Sequence, residues 1–256
     1  MQEIVITEKK YLTNYHKLVG HKIDHLIQNH DFSEQHIELG YATQSSAVYS
    51  SNIEGNTVNL NSYMNYQLSK EKFKPTKEVE EIENLVKAYE LAQSNQLNEK
   101  NFLKCHEMFS KTLLIKSKRG KYRIEKVGVY DESGLVYLAI EPEFVKEKMK
   151  IFFNGVQSLL NEKLSNEETF YYASLLHLKF VHIHPFRDGN GRGVRLLEKW
   201  FIVEKLGDQF WKIPSEKYYK DHRDDYYENI NLGVNYYELD YDRCLPFLTM
   251  LPKCLE

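Results

Sequence analysis

Residues 184–195 read HPFRDGNGRGVR, and this stretch concentrates the groups that phosphate chemistry needs. The chain has 12 glycines in 256 residues, yet Gly189, Gly191 and Gly193 fall within five positions. Glycine lets backbone approach a ligand without a Cβ, and the unpaired N–H groups at the start of a helix make an anion site. Asn190 is the expected cap of that helix. Arg192 and Arg195, three residues apart, share a helix face where two guanidinium groups can hold successive phosphates. Asp188 is an acid among these donors, suited to holding a magnesium ion that bridges two phosphates. His184, whose ordinary pKa of ~6.5 lies near neutrality, suits a general base. Together these residues predict transfer of part of a nucleotide to a hydroxyl.

Each residue has a plainer role when taken singly. A histidine before proline is commonly structural, Phe186 belongs in a core, and glycine-rich turns mostly just turn. A dinucleotide-binding loop is excluded because no strand precedes the glycines, and the Lys-Ser/Thr ending of a P-loop is absent. His177, His182 and His184 make a poor metal set, since His177 and His182 lie five apart, off a common helix face. It is the combination that specifies a site.

The elements that position it are read mostly as helices. Leu12, Tyr15, Leu18, Val19, Ile23 and Leu26 form a stripe over 11–27. Ser33 opens a second helix, and a further one runs to Glu54, with Gly55-Asn56 as its stop. Asn61 caps a short helix, 77–92 is amphipathic, and 98–114 is another candidate. Within 122–140, β-branched and aromatic residues flank DESG at 131–134, the signal of a β-hairpin with a loop longer than two residues. Helical pattern returns over 142–160. Ser165 with Glu168 makes a capping box for a helix over 166–181. The last helix expected from the pattern ends near Gly207. No repeat or low-complexity linker divides the chain.

With 42% hydrophobic and 28% charged residues the composition is that of a globular protein with a substantial core. A net charge of −3 without a long basic tract does not indicate a nucleic-acid partner. Cys105, Cys244 and Cys254 are far apart, which suggests neither disulfides nor zinc. No apolar run has the length of a membrane span, and no leader is recognised, so a cytoplasmic location is expected.

HPFRDGNGRGVR resembles the complete signature of the Fic family, HPFx[D/E]GNGRxxR. LLHLKFVHIHPF before it, GKYRIEKVGVY and EVEEIENLVKAYE are also similar to that family. The likeness covers about 77–248. SSNIEGN, at 50–56, resembles the inhibitory motif [S/T]xxxE[G/N] through Ser50, Glu54 and Gly55, placed as in the second class of the family. The resemblance implies a mostly α fold: a Fic-type helical bundle over 77–256 with one β-hairpin flap, and an N-terminal helical region, 1–76, carrying the inhibitory helix. It implies AMPylation, transfer of AMP from ATP to a tyrosine, serine or threonine of a protein target. His184 would deprotonate the hydroxyl and Asp188 would hold magnesium. Gly189, Asn190, Gly191 and Arg192 would cradle the α- and β-phosphates, and Arg195 the γ-phosphate unless Glu54 is paired with it. The hairpin would align the target, with Tyr226 or Tyr227 near the adenine. The family often has asparagine where this chain has Lys199.

Other functions fit the same residues. The site can run as a deAMPylating hydrolase with Glu54 orienting water, or serve a nucleotide-binding regulator without catalysis. A phosphate-transferring variant would lack the glycines retained at 189 and 191. The sequence is compatible with a homo-oligomer and does not name the target.

Overall fold

The computed structural model describes residues 5–32, 38–69, 74–131 and 134–256. The expected opening of a helix at Ser33 lies outside them. Twelve α-helices are found among the described residues. In chain order they are α1 Leu12–Leu18, α2 Ile23–Asn29, α3 Leu39–Ile53, α4 Leu60–Ser69, α5 Lys77–Gln93 and α6 Glu99–Phe109. After the hairpin come α7 Pro142–Asn161, α8 Asn166–Ile183, α9 Asn190–Leu206, α10 Ser215–Asp221, α11 Arg223–Ile230 and α12 Leu245–Leu248. The mostly α architecture with one hairpin is as the sequence led us to expect.

Helix α8 is the spine. All but one of its side chains from Thr169 to Ile183 are buried, the pattern of a helix covered on every face. Helices α9, α7, α1, α2 and α12 pack on it. Its start is fixed by the reciprocal pair Ser165 and Glu168, the expected capping box. Thr76 and Asn98 cap α5 and α6 with their side-chain oxygens. Helix α4 departs from expectation: Asn59 Oδ1, not Asn61, takes the Ser62 N–H at 2.9 Å, because Asn61 already lies inside the helix.

Helix α3 packs against α5, α10 and α9, and its Ala47, Val48 and Ile53 join the same apolar core as α8. The N-terminal stripe is not one helix. Val19, at φ −144°, breaks it, a 3-10 turn follows over Gly20–Lys22, and Leu18 is left 55% exposed. A Cβ on Gly20 would lie 2.1 Å from Glu167 Oε1, so the chain turns here to pass close to the start of α8.

The hairpin pairs β1 Gly128–Asp131 with β2 Gly134–Leu138, antiparallel, with an irregularity between Val129 and Tyr130. Only 132–133 separate the strands, so the connection is shorter than the four-residue loop read from DESG.

Candidate active site

Helix α8 stops at His184, which adopts a left-handed conformation (φ 51°, ψ 60°), the one non-glycine residue at positive φ among those described. Pro185 prevents the helix from continuing. Arg123, buried ahead of the hairpin, clasps this end. Its Nε donates to His184 O at 2.7 Å, its Nη2 to Ile140 O at 2.6 Å and Ile183 O at 3.3 Å, and its backbone N–H to Pro185 O at 2.9 Å. A cation at a helix C-terminus is also favoured by the helix dipole.

The loop beyond is held from two sides. Asn190 Oδ1 accepts the Phe186 N–H and Asn190 Nδ2 donates to Phe186 O, both at 2.9 Å. The side chain expected to cap α9 is therefore spent on the loop. Asn190 is the first helical residue, and Gly189 (φ 84°) takes the cap position. A Cβ on Gly189 would lie 2.8 Å from the Phe109 ring, so both space and backbone require glycine. From α6, His106 stacks on Phe186 with centroids 3.6 Å apart. Its Nδ1 accepts the Gly120 N–H at 2.9 Å, leaving Nε2–H to donate to Asp188 O at 3.1 Å. The Asp188 carboxylate accepts the Gly189 N–H at 2.6 Å through Oδ1, which leaves Oδ2 for a cation.

His184 Nδ1 lies 3.2 Å from Val181 O, so the proton sits on Nδ1 and Nε2 carries a lone pair. Burial pushes the imidazole pKa down to about 4. The ring is neutral at pH 7, with its lone pair on Nε2.

Arg195 is fully enclosed. Its Nε donates to Ser50 Oγ at 2.9 Å, and its Nη2 donates to Ser50 O at 2.9 Å and Glu54 Oε1 at 2.8 Å. Its Nη1 donates to Tyr226 Oη at 3.2 Å. Glu54 follows the last residue of α3, and Gly55 (φ 94°) turns the chain back. A Cβ on Gly191 would fall 2.1 Å from Glu54 Oε1. The carboxylate therefore sits against the first turn of α9. Burial disfavours its charge, but Arg195 and Arg192 outweigh burial and hold the carboxyl below its ordinary range.

The structure thus brings Ser50, Glu54, Gly191 and Arg195 together. Arg192 has a different partner: its Nη2 donates to Glu81 of α5, and its buried Nε has no partner among the described residues. Tyr226 is spent on Arg195 and on His177 Nε2, 2.9 Å away, and Tyr227 donates to Ile53 O at 3.1 Å. His182 contacts Tyr241 and Ile230 O, and no cluster of three metal-ligating groups is found among the described residues. Beside the loop, a cavity of about 560 Å³ opens between Leu113 and Leu114, the hairpin residues Lys126 to Gly128 and Tyr130, and Arg187-Asp188.

Sequence reasoning missed Arg123, His106 and Glu81. Arg123 lies within GKYRIEK and carried one signal, a lone arginine in an otherwise strand-like run.

Residues 96–202 match the sequence model of the Fic/DOC family. The chain carries a Fic domain. A protein adenylyltransferase Fic of Nematostella vectensis is 32% identical over 137 residues, 54% of this chain and 27% of that protein. One from Drosophila grimshawi is 36% identical over 98 residues, 38% of this chain and 18% of that protein. The match thus spans about a quarter or less of these relatives' length. A Fic family protein from Desulfovibrio desulfuricans G20 superimposes with a TM-score of 0.77 at 22% identity, over 99% of this chain and 74% of its own. A Fic domain containing signaling protein from Bacteroides thetaiotaomicron gives 0.67 at 18% identity, over 96% and 92%. Both likenesses establish the Fic fold. No described helix is long and apolar enough to cross a membrane.

Proposed function

We propose that this chain transfers AMP from ATP to a hydroxyl side chain of a protein target, and that Glu54 holds the activity down. The observation that carries this reading is the placement of Glu54 on Arg195 and over Gly191. A site built for an anion, with a carboxylate of its own chain in it, is a phosphate site in an inhibited state.

The residues suit ATP. Gly191 leaves room for a group where a side chain would not fit, Arg192 Nε is buried without a partner among the described residues, and Arg195 Nη1 lies close to Gly191. Asp188 lines the open cavity as a single carboxylate, the donor set of a magnesium ion that takes its other ligands from phosphates and water. Magnesium bound there would neutralise phosphate charge.

In the reaction the target hydroxyl oxygen bonds to the α-phosphorus, the bond from that phosphorus to the bridging oxygen breaks, and pyrophosphate leaves. His184 Nε2 takes the hydroxyl proton. Arg192, Arg195 and the N–H groups of α9 are fixed in place to stabilise negative charge as it shifts towards the leaving group. Arg123, His106 and Asn190 keep the loop in the shape this needs. With Glu54 on Arg195, the γ-phosphate has no cation to hold it. A cytoplasmic setting and ATP as donor belong to the same reading.

The test uses ATP labelled at the α-phosphate, magnesium and cell lysate. Glu54→Gly should raise labelling of protein by at least about tenfold, which corresponds to ~1.4 kcal/mol of competition removed. Adding His184→Ala should abolish it. Unchanged labelling in Glu54→Gly would remove the inhibitory assignment. Loss of AMP from a pre-modified protein, dependent on Glu54, would instead make this a hydrolase.

A further inference from the structure

The cavity beside Asp188 has a sign. Lys126 and Arg187, both exposed, line it, and neither makes a hydrogen bond or salt bridge among the described residues. The described acids nearby are Glu125, which pairs with Lys118, Glu141, which accepts from Tyr237 and also attracts Lys126, and Asp188, whose carboxylate accepts from Gly189. Leu113, Leu114 and Val127 add apolar side chains to the lining.

The hairpin adds an open edge. At β2, Leu138 N–H donates to Val234 O at 2.9 Å, so that side is partly taken. Strand β1 pairs with β2 alone among the described residues, leaving its other edge unpaired. Gly128 and Tyr130 of β1 line the cavity, and Tyr130 is 70% exposed. An unpaired strand edge takes an extended segment through backbone hydrogen bonds, while side-chain pockets choose its sequence.

From these features we infer that the segment presented for modification is acidic: beside its hydroxyl residue it carries a carboxylate that docks on Lys126 and Arg187, next to an apolar side chain that packs on Leu113 and Leu114. This rests on the proposed AMP transfer and names the class of target that site accepts. Two exposed cations without a salt bridge, beside apolar side chains, complement an acidic, partly apolar strand and repel a basic one. Lys126 and Arg187 act here as specificity residues, remote from the proton transfer.

The experiment uses the Glu54→Gly protein and short synthetic peptides with a central Tyr, Ser or Thr next to valine, flanked by glutamates or, in a matched set, by lysines. AMP transfer to peptide and pyrophosphate release are followed together. The glutamate peptides should have kcat/KM about tenfold above the lysine peptides, the order of effect expected for surface charge pairs. Combining Lys126→Glu with Arg187→Glu should invert that preference through the peptide KM, with the KM for ATP unchanged. Equal use of both peptide sets overturns the inference. So does a raised KM for ATP in the charge-reversed protein, which would assign the two cations to the nucleotide. If pyrophosphate is released and the protein labels itself but no peptide is labelled, AMP transfer stands and the acidic docking site falls. If no pyrophosphate and no label appear in any sample, the proposed function itself fails.

Discussion

Arg192 of α9 donates to the Glu81 carboxylate of α5, so Arg192 and Arg195 rest on two carboxylates, one within α5 and one just past the end of α3. Both members of the Arg192–Glu81 pair are largely buried. Removing one partner of such a pair leaves an uncompensated charge, at a cost of roughly 3–5 kcal/mol.

Glu81→Ala should therefore lower stability by about 3 kcal/mol, measured by urea unfolding. ATP with magnesium should restore part of this in the Glu54→Gly background, because phosphates supply the missing counter-charge. The stabilisation by ATP should be larger in Glu54→Gly/Glu81→Ala than in Glu54→Gly alone. An equal ATP effect in the two proteins would show that Arg192 does not meet the nucleotide.

Tyr226 links Arg195 to the core. Its hydroxyl accepts from Arg195 Nη1 at 3.2 Å and donates to His177 Nε2 at 2.9 Å, while Glu198 Oε1 lies 3.1 Å from His177 Nδ1. Tyr226→Phe keeps the ring and strands both nitrogens, at a cost of about 1–3 kcal/mol. In the Glu54→Gly background it should also raise the KM for ATP several-fold, since Arg195 loses a support. A steady-state titration of ATP separates this from a fall in kcat.

Three histidines are tuned to stay neutral. Burial lowers the pKa of His106, His182 and His184 to about 4 in each case. In the unfolded chain they take up protons near ~6.5. Between those limits the unfolded state binds more protons, so stability is at its full value above about pH 6.5 and falls as pH drops towards about 4. His106 makes the reason local: Nδ1 accepts the Gly120 N–H, and protonation would turn that acceptor into a second donor. The midpoint of urea unfolding, measured from pH 7.5 to 4.5, should fall with slope increasing towards acid, and less steeply in His106→Gln.

The sequence shows most of the fold because most of it is local. Periodicity fixes α5, α7, α8 and α9, though the cap of α9 is Gly189 and not Asn190, and Ser165 with Glu168 sets the start of α8 to the residue. The break at Val19 escapes helical periodicity, because the lack of room for a side chain at Gly20 is set by Glu167, in a distant part of the chain. The same division runs through the site. His184, Asp188, the glycines and Arg195 are contiguous and legible, and Glu54 was readable through its motif. Arg123, His106 and Glu81 act chiefly by joining distant parts of the chain, Arg123 to His184, His106 to Asp188 and Glu81 to Arg192, with shorter reaches from Arg123 to Ile140 and from His106 to Gly120. Nothing in their own neighbourhoods marks them. Lys199 belongs with these: its buried ammonium joins Ser46 of α3, Ile213 O and Glu216 of α10, so it ties α9 to α3 and α10.

The left-handed backbone at His184 sets endurance against activity. For a residue with a side chain this conformation costs roughly 1–2 kcal/mol, whereas glycine and asparagine adopt it readily at helix ends. In the proposed reaction the His184 imidazole takes the hydroxyl proton, which an asparagine amide there could not do, so turnover would require a residue that its own backbone disfavours. An inactive His184→Asn protein should therefore melt at a higher temperature than the parent. The working form is the more fragile of the two, and a screen for heat resistance alone would drift towards a sturdier protein that no longer does anything.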